Sequence, residues 1–147
     1  MKYIVIVILI LIGLYYVYPL VIGPEQVIKD VNAFVEDDDI VIQIGFSVPV
    51  RYENHFPEKF GEALQIKFRL ISLGKVKKKE IIGRDALRPE MAKLTSLVNI
   101  SYEGNVPGGP FLTLLFSRPV EFEVREDSSL QSLIVVLPKQ AVVKSKS

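Results

Sequence analysis

The chain has 147 residues, 18 Lys and Arg against 17 Asp and Glu, a formal net charge of +1, and neither cysteine nor tryptophan. The missing cysteine excludes disulfides, thiolate nucleophiles and Cys-ligated metals. The balanced charge argues against an electrostatic nucleic-acid binder, which carries a basic excess.

The first element is an apolar run. Tyr3 to Ile22 contains no charged residue, and a membrane-spanning helix needs about 20 such residues. Lys2 is the only charge among the first 23 residues, and Glu25, Asp30 and the acids from Glu36 to Asp39 follow the run. Positive charge held inside keeps the N-terminus cytoplasmic and exports the rest. Two readings stay open, an uncleaved signal anchor and a cleaved signal peptide. The nearest cleavage candidate, Val21-Ile22-Gly23, is followed at once by Pro24, which disfavours cleavage. The exported part, with 17 basic and 17 acidic residues, must rest on an apolar core. About 120 residues suffice for that.

Beyond the Gly23-Pro24 break the pattern turns to period two. Val31, Ala33 and Val35 alternate as a strand, and Asp37-Asp38-Asp39 reads as a turn. Ile40, Ile42, Ile44 and Phe46 mark a second strand. Pro49 cannot donate to a ladder, so it marks an edge, bulge or bend. Val50 and Tyr52 resume the alternation, Asn54 to Gly61 is read as a loop, and Leu64, Ile66, Phe68 and Leu70 face inward against Gln65, Lys67 and Arg69. Ser72 to Thr95 breaks the period and is expected to connect two halves, with a helical turn near Pro89 to Leu94. Leu97 to Tyr102, Phe111 to Phe116, Val120 to Val124 and Leu130 to Leu137 then read as strands, with Pro107-Gly108-Gly109-Pro110 as a hairpin turn. Residues 141–147 read as a tail.

These elements repeat. Phe46-Ser47-Val48-Pro49-Val50 recurs as Phe116-Ser117-Arg118-Pro119-Val120. Upstream, Val31-Asn32 is matched to Val98-Asn99 and Val35-Glu36 to Tyr102-Glu103; downstream, Leu64, Ile66 and Phe68 are matched to Leu133 to Leu137. A repeat of this length is a folding unit used twice. The fold class expected is all-β, a two-sheet sandwich of two pseudo-symmetric three-stranded repeats packed face to face, preceded by one N-terminal transmembrane helix. The domain limits are 1–23 for the anchor or signal, 24–140 for the sandwich and 141–147 for the tail.

No nucleophile elbow, paired-carboxylate or metal-ligand motif stands out, so the chain is read as non-catalytic and without cofactor. His55 is the only histidine and is expected to pack or bond locally. Glu36 to Asp39 lacks the ligand spacing and glycine of a calcium loop and is read as a solvated turn. Lys75, Lys77, Lys78 and Lys79 are read as a solubilising loop, the alternative being contact with anionic lipid or another acidic polymer. The outward residues are the better binding candidates: Arg51, Lys67 and Arg69 on one sheet face, and Glu121, Glu123 and Arg125 on the other. Arg and Lys bind carboxylates through charge-assisted hydrogen bonds.

The strand ending Phe116-Ser117-Arg118-Pro119-Val120, its extension Glu121-Phe122-Glu123-Val124 and the closing Leu133 to Pro138 resemble the AMIN domain. This is a non-catalytic module of Gram-negative envelope proteins, found at the N-terminus of periplasmic N-acetylmuramoyl-L-alanine amidases and of type IV pilus secretins. Phe46 to Tyr52 with His55-Phe56-Pro57 is also similar to the start of exported tetratricopeptide-repeat proteins. The resemblance covers Gln26 to Pro138. It implies two symmetric β-sheets and a periplasm-facing, inner-membrane-anchored (or, if cleaved, periplasmic) targeting module. Its partner would be peptidoglycan or an envelope protein complex, the alternative being an interaction subunit of a secretion or pilus machine without glycan affinity. No amidase, secretin or helical-repeat domain follows Ser147, so a free-standing module and a piece of a longer protein are both expected.

Overall fold

The structure is a computed structural model and describes residues 27–71, 79–82, 89–104 and 106–139. The apolar run Tyr3 to Ile22, the limits of the expected domain, Lys75, Lys77 and Lys78, and the tail 141–147 lie outside the described residues. Among those described, no helix is long and apolar enough to cross a membrane.

In chain order the strands are β1 (Ile28–Glu36), β2 (Asp39–Phe46), β3 (Val50–Phe56), β4 (Phe60–Leu70) and β5 (Lys79–Ile82). Helix α1 (Pro89–Thr95) follows, then β6 (Leu97–Glu103), β7 (Phe111–Glu121), β8 (Glu123–Glu126) and β9 (Ser132–Leu137). They form two antiparallel sheets. Sheet I has four strands in the order β1-β2-β9-β8, and sheet II has five in the order β3-β4-β7-β6-β5. The inward phase of each strand is apolar. Ile42, Ile44, Leu133 and Val135 of sheet I and Leu64, Ile66, Ile100, Leu112 and Leu114 of sheet II are fully buried. Each such side chain contributes about 1.5–3 kcal/mol relative to an exposed one. Phe68 joins the layers, with its ring centroid 5.3 Å from that of Phe46 and 5.8 Å from that of Tyr102.

The two-sheet sandwich and the internal repeat are present, but the repeats are built differently from the expected three-stranded units. Each has four strands and divides between the sheets. The first repeat gives β1 and β2 to sheet I and β3 and β4 to sheet II; the second gives β6 and β7 to sheet II and β8 and β9 to sheet I. The order β1-β2-β9-β8 therefore maps onto β6-β7-β4-β3, with β5 added at the edge of sheet II. Register obeys the same symmetry, since Ile44 faces Leu133 as Leu114 faces Leu64.

The first repeat crosses between sheets within the pentapeptide, between Phe46 and Val50, and the second crosses just after it, at Phe122. Ser47 N–H donates to the Val27 carbonyl at 3.0 Å, and Ser117 N–H donates to the Ser96 carbonyl at 2.8 Å. Pro49, lacking an N–H, ends the sheet I ladder, and Val50 N–H then turns to the Leu130 carbonyl at 2.7 Å before β3 pairs with β4. Beyond Pro119, Val120 pairs with Gly61 while Leu115 pairs with Ala63, so Phe116 to Pro119 bulge from β7 opposite the single residue Glu62.

Both upstream matches shift by two residues. Ile44 and Leu114 are equivalent, and their partners are Val31 and Ile100, so Val31 answers to Ile100 and not to Val98. Ile42 and Leu112 are equivalent and face Ala33 and Tyr102, so Tyr102 answers to Ala33 and not to Val35. A slip of two residues leaves alternation intact, which is why the sequence pattern did not reveal it. The hairpins differ correspondingly. Asp37 and Asp38, with φ of 50° and 72°, make the tight turn between β1 and β2, whereas the β6–β7 connection is longer and turns at Gly108, with φ of 78°.

Helix α1 packs against β1, β2 and β6 and closes that side of the sandwich. Pro89 suits a first helical turn, and Met91 and Thr95 are buried. Thr95 Oγ1 donates to the Met91 carbonyl at 2.6 Å and accepts from Leu97 N–H at 3.1 Å. Ser96, with φ of 59°, stops the helix, its N–H donating to the Ala92 carbonyl at 3.0 Å.

Candidate functional site

The six candidate residues fall into separate places. Arg51 on β3 and Arg69 on β4 are directly opposed cross-strand partners, both exposed on the outer face of sheet II. Lys67, two residues along β4, shares that face and pairs with Glu53, Nζ to Oε2 3.5 Å, each side chain about one third exposed. A bulge between Tyr52 and Asn54 inserts Glu53, which sets an acid beside Lys67. Among the described residues, neither Arg51 nor Arg69 has an ion-pair partner. Like charges directly opposite destabilise a sheet by a few tenths to about 1 kcal/mol.

The same face carries Gln65 and, across from it, Phe56, which is 76% exposed. From Arg69 to Gln65 the strand advances about 14 Å at its usual rise. The outer face thus offers two forked cations at one end and an exposed phenyl ring at the other.

Glu123 and Arg125 lie on β8 at the edge of sheet I, away from this face. They satisfy each other: Arg125 Nε donates to Glu123 Oε1 at 2.8 Å and Nη2 to Oε2 at 3.1 Å. Those hydrogen bonds hold the Glu123 carboxyl below its ordinary pKa and push the Arg125 guanidinium higher. The fork of Arg125 is therefore committed before any ligand arrives. Glu121 ends β7 and lines a cleft at the end of the sandwich with Arg118 and Lys139. The structure brings Arg51, Lys67 and Arg69 together and leaves Glu121, Glu123 and Arg125 apart from them.

His55 lies on β3 and not in a loop; the turn between β3 and β4 covers only Pro57 to Lys59. The Glu53 bulge turns the histidine inward, where its ring meets that of Phe122 edge-on at 6.3 Å. His55 Nε2 stands 2.8 Å from the Glu58 carbonyl and Nδ1 2.6 Å from Tyr52 Oη. A carbonyl only accepts, so Nε2 carries the proton, and in the neutral ring Nδ1 accepts from the tyrosine. Burial raises the Tyr52 phenol. The histidine binds its own strand to its own turn and fixes the β3–β4 tip, as local bonding was expected to do.

Sequence reasoning missed the exposed aromatics Phe56 and Phe60, the latter 60% exposed. Their signal was an aromatic on either side of a short Pro-Glu-Lys turn. It also missed Arg118, which occupies the variable position of the repeated pentapeptide. Among the described residues, no group of acids and histidine is arranged to hold a metal ion. Comparison with protein-family models, curated proteins and solved structures finds no match for the chain.

Proposed function

We propose that this chain is a non-catalytic targeting module of the AMIN type. It holds itself, or a protein joined to it, at the cell envelope by binding peptidoglycan on the outer face of sheet II. The observation carrying this reading is the Arg51–Arg69 pair, two unneutralised guanidiniums set opposite each other where cross-strand repulsion works against the fold. A planar fork suits carboxylate, and the stem peptides of peptidoglycan present carboxylates along a polymer. Phe56 supplies an apolar surface for the body of such a ligand. In this reading Tyr3 to Ile22 tethers the module to the inner membrane with the sandwich facing the periplasm.

The test is co-sedimentation of the detergent-solubilised chain with purified sacculi, beside a variant carrying Lys67→Glu and Arg69→Glu. Retention of the parent at low salt, reduced by the variant with its β-sheet circular dichroism intact, is the expected result. No retention of the parent at any salt concentration would refute the peptidoglycan reading.

A second reading rests on a different observation. Phe56 and Phe60 project from a tip that His55 holds rigid, and preorganised exposed aromatics are the usual anchors of protein interfaces. Under it, the chain is an interaction subunit of a secretion or pilus assembly. Crosslinking in membranes to one dominant protein, in place of cell wall, is the result that reading expects.

A further inference from the structure

The repeat breaks its own symmetry at one informative place. In the first pentapeptide the variable residue is Val48, 7% exposed and part of the packed end. In the second it is Arg118, exposed beside a cleft of about 210 Å³ at the opposite end of the sandwich. Packing explains the valine and does not explain the arginine.

The cleft has an apolar floor of Ile40, Val120 and Leu137, of which Val120 and Leu137 are 4% and 5% exposed. Its rim is charged, and the charges are not equivalent. Lys139 is occupied, its Nζ 3.0 Å from Asp38 Oδ2 and its backbone N–H donating to Asp39 Oδ1 at 2.9 Å. Arg118 is aimed but uncommitted: its Nε donates to Ser96 Oγ at 3.0 Å, and its two terminal nitrogens have no partner among the described residues. Glu121, three residues along the same bend, has no ion-pair partner among the described residues either. Among the described residues, a guanidinium with both terminal nitrogens open and a carboxylate without an ion-pair partner therefore flank an apolar floor too small for a drug-sized ligand, which takes about 300–1,000 Å³.

We propose that this cleft binds a free aliphatic α-amino acid, with its carboxylate on the terminal nitrogens of Arg118, its ammonium on Glu121 and its side chain on Ile40, Val120 and Leu137. A guanidinium whose Nε is already anchored presents the end of its fork in a fixed direction, which suits a planar carboxylate. The acid beside it disfavours a simple anion and favours a zwitterion. This site is at a different end of the molecule from the basic face of sheet II and does not depend on the role assigned there.

The test is an NMR titration of the 15N-labelled full chain with L-leucine, N-acetyl-L-leucine and L-leucinamide. Leucine is expected to cause saturable shifts at the amides of Val120, Leu137 and Lys139. Each analogue, lacking one charge, is expected to bind about tenfold or more weakly. Glu121→Gln should bring leucine down to the level of N-acetyl-leucine, and Arg118→Gln to that of leucinamide, with the dispersed spectrum of the fold retained. Absence of saturable shifts at these amides up to tens of millimolar leucine, a range that covers even weak binding, overturns the proposal. N-acetyl-leucine binding as tightly as leucine overturns it too, because a peptide C-terminus would then be the better ligand.

Discussion

Replacing Arg51 by Glu is expected to make the protein more stable while removing its proposed binding. Arg51 and Arg69 are opposed across β3 and β4, and neither has an ion-pair partner among the described residues. Two unit charges about 6 Å apart in water interact by ~0.7 kcal/mol. At physiological salt, with a screening length of about 8 Å, roughly half of that survives. Turning repulsion into attraction counts the term twice, so Arg51→Glu should gain about 0.7 kcal/mol at physiological salt and about 1 kcal/mol at low salt. Arg51→Ala, which only removes the repulsion, should gain about half as much. Urea unfolding followed by circular dichroism at both salt concentrations measures the gain, and co-sedimentation with sacculi measures the loss. Lower stability for Arg51→Glu than for the parent, or a gain indifferent to salt, would refute the picture of two unneutralised facing arginines.

Other consequences concern the fold. Asp127 accepts from Ser129 Oγ and from Ser132 Oγ, the latter at 2.8 Å, which holds its carboxyl below the ordinary range. A depressed carboxyl stabilises the fold above its unfolded pKa, and that contribution disappears as pH falls through the folded value. The stability advantage of the parent over Asp127→Asn should thus be full at pH 6 and shrink below about pH 4 in acid unfolding curves. Asp37 and Asp38 occupy the positive-φ positions of a two-residue turn for which Asn-Gly is preferred; the double variant Asp37→Asn with Asp38→Gly should raise stability by about 0.5–1 kcal/mol in urea unfolding. Leu114 is fully buried and Leu115 is 40% exposed. Leu114→Ala should cost about 2–5 kcal/mol and Leu115→Ala well under 1 kcal/mol in the same assay, a contrast between adjacent residues fixed by which face each takes.

Alternation made most of the strands readable, because every inward residue from Ile40 to Phe46 and from Leu64 to Phe68 is apolar and every second one packs into the core. The repeated pentapeptide made the symmetry readable too. Which sheet a strand joins was not readable, since an inward-facing Ile44 has the same pattern whether its neighbour belongs to its own repeat or to the other. The bend after Phe46 decides that, through backbone hydrogen bonds that leave no mark on side-chain periodicity.

The candidate site was legible to the same degree. Outward phase located Arg51, Lys67 and Arg69 on one face. It did not tell a free cation from a committed one: Arg125 looks like Arg69 in sequence, yet its fork is closed by Glu123. The single extra residue at Glu53 reverses the facing of everything after it, which is how His55 came to lie inward on a strand. Bulges of one residue in an alternating polar stretch have no compositional signature, so both the anchored tip and the pairing of Lys67 became visible only in three dimensions.

The crossing of the chain from one sheet to the other within each repeat makes the two halves depend on each other. Because sheet I and sheet II are each assembled from both repeats, one repeat by itself would leave the inner edges of β2 and β4 without partners and its apolar phases uncovered. A lone half is complete only when it clasps a second half, which is the arrangement of a homodimer with exchanged strands. The two halves of the present chain stand to each other as the subunits of such a dimer would. Severed between β4 and β5, its two fragments should be unable to fold separately and should reconstitute the sandwich when mixed.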